Sequence, residues 1–390
     1  MTMNPVQFLH QRNSGPAALG RLKKHGFSPQ TLAALDDFVS SAADHELYQI
    51  SPCYIAERLG LDEQTTLTLL IAGVTEGLFS LNWEVTCPLC EYRGRPTSSL
   101  AHVVHAHCET CGHNFNAQLD DEIWVTVTVN DLVRQLSPEH FDSAEFQAWA
   151  RTRYGSVPAL ALINIPLFRE AVAPRTLPEG QFLGVKGLAI FFSDLRQSTA
   201  FYHKFGDGAA YQIVRQHFEA VFEAVARHNG AAIKTIGDGI MGVFTDSGGA
   251  LRGIAAAQAA IRRLSDEAGL KGEDRLALKV GLHVGPCIVV ILNKRLDYFG
   301  QAVNIAARLS TLAQGDDLVM SHAVLNDTAL CVLAESMGQL QPLDASLRGL
   351  PDQFELHRLA FAPLAPASQH SLPALPQDQA QTALTAAWSV

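Results

Sequence analysis

Two aspartates in this chain each close a short apolar run. Leu188-Ala189-Ile190-Phe191-Phe192-Ser193 leads into Asp194, and Ile233-Lys234-Thr235-Ile236-Gly237 leads into Asp238. Such runs, bounded by turn residues, predict buried strands. A carboxylate at the mouth of a strand is held by the sheet and still reaches solvent. Two of them could grip a divalent ion and the phosphates it carries. Taken singly, each is better read as the end of a strand in a turn. A second constellation is Cys87-Pro88-Leu89-Cys90 and Cys108-Glu109-Thr110-Cys111, separated by seventeen residues. Two such knuckles predict a tetrahedral zinc site, each tight turn presenting two thiolates. A closed four-sulfur cage is structural, because it leaves no open position for chemistry. His102, His105, His107 and His113 lie nearby and could replace a sulfur. Further on, Asn304 and Arg308 stand four apart in a helical stretch and so point the same way. Asp297 precedes them at a loop. In isolation Asn304 reads as a cap and Arg308 as the partner of a surface acid.

The elements that must position these residues belong to a chain of 390 residues, long enough for two or three domains with proper cores. Its 47% hydrophobic content is that of a globular protein. A formal net charge of −10 argues against nonspecific affinity for nucleic acid or anionic membrane. Met1–Asn13 lacks the apolar core of a signal peptide, and no apolar run is long enough to predict a membrane span. Four clustered cysteines, with Cys53, Cys287 and Cys331 alone in apolar stretches, fit a reducing cytoplasm better than a disulfide framework.

Residues 1–86 read as helical. Pro52–Leu59, a turn at Gly60-Leu61-Asp62 and Glu63–Glu76 predict helix, turn, helix, with Asp62 capping the second, followed by a strand over Leu78–Val85. This resembles a winged helix-turn-helix. Yet no Lys or Arg occurs from Leu59 through Tyr92, and a recognition helix without cations gains nothing from phosphates. A protein-contact or structural module is the better reading. Residues 87–130 are zinc-ribbon-like and end in the alternating, half-exposed strand Ile123–Val129. Residues 131–181, punctuated by prolines, read as a loosely packed connector. From 182 to 361 the pattern is regular. Tyr211, Val214, Phe218, Val221, Phe222 and Val225 mark one face of a helix between Gly206 and Gly230. The expected fold class is α+β, a ferredoxin-like βαββαβ sandwich with helices on one face. Residues 362–390, rich in Pro, Ala and Gln, read as a disordered tail.

Together these segments resemble the catalytic domain of class III nucleotidyl cyclases, from about Gly184 to Leu359. The resemblance rests on the strand-end aspartates, Lys234-Thr235-Ile236-Gly237-Asp238, Gly281-Leu282-His283-Val284-Gly285, Asp297-Tyr298-Phe299-Gly300 and Val303-Asn304-Ile305-Ala306-Ala307-Arg308. It implies that Asp194 and Asp238 bind metal, two Mg²⁺ or Mn²⁺ per site. Lys234 and Asp297 would read the purine; a donor facing the ring nitrogen and an acceptor facing the exocyclic amine complement adenine. Asn304 would orient the ribose and Arg308 stabilise charge on the reacting phosphate, while Arg348 lines up with a lysine that binds terminal phosphates. In the family two domains pack head to tail and each site borrows from both; one chain carrying every role implies a homodimer. Two departures stand out. The stretch from Gly281 to Asp297 is shorter than usual, which predicts a truncated hairpin. Gln197 replaces a frequent glycine, and it could still present its backbone to a triphosphate if its φ stays negative.

The amino-terminal half resembles a region found ahead of some bacterial cyclases. The leading expectation is a cytoplasmic, homodimeric adenylate cyclase that converts ATP to cyclic AMP and pyrophosphate, regulated by its zinc-containing half and an unknown effector. A rival is a nucleotide-binding sensor without turnover. A third is a DNA-binding regulator with a cyclase-like effector domain.

Overall fold

The structure, a computed structural model, describes residues 19–137, 144–177, 180–345 and 355–362. Arg348 and most of the expected tail, 363–390, lie outside the described residues. The described residues fall into two compact units, those within 1–185 and 289–297, and those within 186–288 and 298–390. No helix among the described residues is long and apolar enough to cross a membrane.

In the first unit, helix α1 (Pro29–Ser41) starts where the Ser28 side chain accepts the Thr31 amide. Helix α2 (Pro52–Leu59) is capped by Ser51 and stops at Gly60, whose φ of 64° only glycine adopts without cost. Helix α3 (Glu63–Thr75) begins where the Asp62 carboxylate accepts the Thr65 amide at 2.9 Å. The helix-turn-helix and its cap are as expected. Strand β1 (Phe79–Val85) pairs antiparallel with β4 (Ile123–Val129) in unbroken register, Phe79 opposite Val129 and Val85 opposite Ile123. The intervening segment therefore leaves and returns to one hairpin, carrying the cysteines and the short strands β2 (Ala106–His107) and β3 (Asn114–Phe115). Ile123, Val125, Val127 and Val129 are buried as the alternation requires, but Thr126 on the other face is buried too, so the strand is covered on both sides at its centre.

Helices α4 (Ala144–Tyr154) and α5 (Ala159–Ile163) follow, with β5 (Val157–Pro158) adding to β4. The loose packing expected of this connector is not found. Leu160, Leu162, Ile163 and Phe168 are fully buried, and Phe168 meets Trp83 edge-on with ring centroids 6.1 Å apart. The prolines shorten the helices without diluting their apolar content, so small pieces still pack as core.

The second unit contributes most of one sheet, ordered β12-β13-β11-β9-β6-β8-β7 with β10 paired to β9. Its strands and helices, in chain order, are β6 (Phe182–Leu195), α6 (Ser198–Phe205), α7 (Asp207–Arg227), β7 (Gly230–Ile236), β8 (Gly239–Phe244), α8 (Ser247–Glu267), β9 (Leu278–Leu292), β10 (Arg295–Phe299), α9 (Gln301–Leu312), β11 (Asp317–Ser321), α10 (Thr328–Met337), β12 (Gly338–Leu343) and β13 (Leu356–Phe361). The central order β9-β6-β8-β7 is that of the expected βαββαβ sandwich. Val214, Phe218, Val221, Phe222 and Val225 of α7 share a core with Ile254 and Ile261 of α8 and with Val280 and Leu282. Tyr211, expected on that face, is 42% exposed.

Helix α9 departs from the one-sided expectation. Its Ile305 and Leu309 pack with Val319 and Leu356, whereas Leu318 and Met320, on either side of Val319, face the α7–α8 core. Strand alternation therefore puts α9 on the opposite face of the sheet. Gly281 makes room for it: a Cβ there would clash with the backbone at Ala306, Leu309 and Ser310. The β9–β10 hairpin closes on two residues, Asn293 and Lys294, with φ of 51° and 61°, a primed turn suited to strand twist. Gly281→Ala should lower stability by roughly 1 to 3 kcal/mol by prising α9 off the sheet; urea unfolding measures it.

Candidate active site

Asp194 is the penultimate residue of β6, and Asp238 sits in the turn between β7 and β8. The β6–β8 register places Ser193 opposite Ile240, which brings both acids to the same end of adjacent strands. Two glycines allow this. Gly237 turns the chain at φ 64°, and a Cβ on Gly239 would lie 2.6 Å from the Ser193 carbonyl oxygen. Burial raises the Asp238 carboxyl above the usual carboxylate range, and the neighbouring Asp194 charge raises it further, against hydrogen bonds from Ser198 and the Leu195 backbone. Asp238 Oδ2 is buried with no hydrogen-bond partner. An orphaned oxygen beside a second carboxylate suits a hard divalent cation.

Lys279 was not foreseen. Its ammonium lies 2.5 Å from Asp194 Oδ2, reaching from β9. The available signal was one lysine interrupting the apolar run Leu276–Leu282. His217 is also near and feels the Asp194 charge from within the core; burial nonetheless holds its imidazole down to about 4, so it adds no charge at neutral pH. The Gln197 expectation needs correction. Its φ is 57°, so it takes the left-handed conformation that the frequent glycine would have taken. A residue with a Cβ pays roughly 1–2 kcal/mol for that backbone, and the turn geometry is kept at the expense of strain. Gln197 then opens α6 with no side chain capping the first amides.

Lys234 lies on β7 beside a bulge, with its ammonium 5.9 Å from the centroid of the Phe299 ring. Asp297 is half-buried within β10 and not in a loop as expected. Asn304 and Arg308 are both exposed on α9, one turn apart, while Ile305 and Leu309 beside them are buried. They share one outward face, as the spacing predicts. The acids thus gather at the strand ends, and the amide–guanidinium pair gathers on the helix across the sheet.

Residues 184–338 match the family described as the adenylate and guanylate cyclase catalytic domain. This part of the chain is a class III nucleotidyl cyclase domain. Residues 14–159 match a family of unknown function, DUF5939. Among curated relatives, a receptor-type adenylate cyclase, ESAG 4, from Trypanosoma brucei brucei is 33% identical over 93 residues, 23% of this chain and 7% of that protein. An adenylate cyclase of Lachancea kluyveri is 26% identical over 151 residues, 34% of this chain and 8% of that protein. The chain therefore spans under a tenth of the length of either relative. A solved structure, the adenylyl cyclase CyaB from P. aeruginosa, aligns at 18% identity and a TM-score of 0.39, covering 47% of this chain and 97% of that one.

Ahead of the cyclase domain, the sulfurs of Cys87, Cys90, Cys108 and Cys111 lie within 4.8 Å of one another. The two knuckles repeat one geometry. The Cys87 amide donates to the Tyr92 carbonyl and the Cys108 amide to the His113 carbonyl, so each turn aims both thiols inward. Among the described residues, these four cysteines are the one group of three or more His, Cys, Asp or Glu side chains close enough together to hold a metal ion. The nearby histidines do not replace a sulfur: His102 bonds Thr97, His105 bonds Asn116, His107 bonds Asn114, and His113 stacks on Phe115.

Two outcomes follow from these sites. Mn²⁺ should raise the melting temperature of the native chain and leave that of Asp238→Asn unchanged. Without metal, Asp238→Asn should melt no lower than the native chain, because it relieves a raised, half-buried carboxylate; thermal scans at neutral pH with and without Mn²⁺ decide both. Elemental analysis of purified protein should find one zinc per chain, lost in a Cys90→Ser Cys111→Ser double variant.

Proposed function

We propose that the chain is an adenylate cyclase that converts ATP to 3′,5′-cyclic AMP and pyrophosphate as a homodimer, with its amino-terminal half as regulator. The observation that carries this reading is the acid pair, two carboxylates at one sheet edge with Asp238 Oδ2 buried and unsatisfied. Asp194 and Asp238 would hold the divalent ions. Bound there, Mg²⁺ or Mn²⁺ supplies Lewis-acid stabilisation of phosphate oxygens.

The remaining work is positioning and charge, and this chain's side chains provide it. Lys234 donates to an adenine ring nitrogen and Asp297 accepts from the exocyclic amine, the reverse of what guanine needs at that edge. Asn304 orients the ribose so that its 3′-hydroxyl lies in line with the α-phosphate and the leaving pyrophosphate. Arg308 meets the charge that grows on that phosphate; arginines in related phosphoryl transfers contribute about 10³ to 10⁵ in rate. Arg348 would steady the terminal phosphates. Lys279 keeps the acid edge from being purely anionic. The placement of Asn304 and Arg308 on the far face of the sheet from α7 and α8 favours a site completed by a second copy of the chain. The closed cysteine cluster fits a structural zinc that shapes the regulatory half.

Purified full-length protein with ATP and Mn²⁺ should make cyclic AMP; ATP bound without product would favour the sensor instead. Asp194→Ala and Arg308→Ala chains should each be inactive while folded. Mixed in equal amounts, they should recover about a quarter of native activity, the fraction of intact sites in random heterodimers. No recovery would defeat the shared site, and a rate unchanged by removal of residues 1–174 would defeat regulation by the amino-terminal half.

A further inference from the structure

At the end of β6 and β8 remote from the acids, the cyclase domain contains a cavity of about 660 Å³. Its floor is Gly187 and Ala189 of β6 and Val284 of β9, and its apolar wall is Leu330 and Leu333 of α10. The volume falls within the range typical of small-molecule sites. The hollow exists because the floor is small: a Cβ on Gly187 would meet no heavy atom within 4 Å.

Charges of both signs line this cavity, and Arg252 and Asp246 both flank Gly248. Arg252 reaches over Gly248 from α8, exposed and without an ion pair among the described residues. Asp327, the cap of α10, lines the same cavity. Its Oδ1 accepts both the Ala329 amide at 2.5 Å and the Leu330 amide at 3.2 Å, and Oδ2 takes no part in the cap. Asp246 lines the cavity as well, with its Oδ1 accepting the Gly249 amide at 2.7 Å as the cap of α8. The two helix amino termini each carry about half a positive charge. With Arg252 they balance the two acids, so the site as a whole is near neutral. A simple anion or cation gains little net attraction there, whereas a zwitterion can pair both of its charges.

We propose that this cavity binds an apolar α-amino acid. The carboxylate pairs with the Arg252 guanidinium, the ammonium with Asp327 Oδ2, and the side chain lies on Gly187, Ala189 and Val284. The site is independent of the cyclase reading. Its floor nevertheless belongs to the strands that carry Asp194 and Lys279, which offers a bound amino acid a rigid route to the acid edge.

The test is calorimetric titration of the full chain with three probes: L-leucine, 4-methylpentanoate, which lacks the amine, and isoamylamine, which lacks the carboxylate. Leucine should bind with one site per chain and at least ten-fold more tightly than either fragment. Arg252→Met should weaken leucine and 4-methylpentanoate ten-fold or more and spare isoamylamine. Asp327→Asn, which keeps a good helix cap, should weaken leucine and isoamylamine and spare the acid. Gly187→Leu should abolish all binding, and Ala329→Leu, filling the cavity from α10, should weaken leucine if the first variant misfolds. No heat with millimolar leucine, equal affinity for all three probes, or uncrossed effects of the two charge substitutions would overturn the proposal.

Discussion

Two carboxylates at the ends of neighbouring strands repel each other, and the cyclase domain is arranged to hold them there. Antiparallel pairing of β6 with β8 fixes Ser193 opposite Ile240, so Asp194 and Asp238 cannot drift apart without breaking the centre of the sheet. Gly239 and Gly242 leave room at this edge where a side chain would not fit, since a Cβ on Gly239 would meet the Ser193 carbonyl oxygen. A Cβ at Gly242 would run into the Phe191 ring, which the core holds in place. Core packing therefore sustains an electrostatically unfavourable edge. Lys279 offsets one of the two charges, and the other remains raised and half-buried. Such a site stores strain that binding of a cation would release, which is why a rigid sheet must stand behind it.

The same logic extends to α9. Most helices of the domain contribute to a single core, and α9 alone with its neighbours forms the smaller cluster on the reverse face. Gly281 lets its backbone come against β9, and this close contact leaves the opposite side of the helix outward. Asn304 and Arg308 occupy that side. Burial of Ile305 and Leu309 thus orients the two polar residues without any polar contact needing to do so.

Much of this was legible in the sequence, wherever one local rule decides the outcome. Asp62 caps α3 because a carboxylate three residues before an amide accepts from it. The paired cysteines close into one cluster because each knuckle is a single turn. The strand-end acids follow from apolar runs that stop abruptly. Tertiary decisions were hidden. Which face receives α9 depends on a glycine in a distant strand, and one glycine in an apolar run has no unique meaning. Lys279 reads as a surface residue until β9 is laid beside β6. Gln197 has ordinary composition, and its left-handed backbone is imposed by the turn from β6 into α6. The connector failed for a different reason: prolines signal short elements, but burial depends on the apolar residues between them.

The amino-terminal unit solves a related problem of placement with buried charge. The cysteine-bearing excursion between β1 and β4 is long, and an unrestrained loop of that length would gain entropy by fraying from its base. Glu84 of β1 is 2% exposed and lies 3.2 Å from Arg93, which belongs to the excursion and sits over the Trp124 ring of β4 at 5.0 Å. Burial raises the Glu84 carboxyl and pulls Arg93 down to about 10, so both groups give up hydration to meet. A pair so desolvated contributes little net stability. Its value is positional: the buried Glu84 carboxylate, which Arg151 also approaches at 3.9 Å, holds Arg93 and the base of the excursion against the hairpin. With the base pinned by Arg93, the cysteine cluster need only close the far end, and a metal held there would order the excursion without having to fold the unit around it.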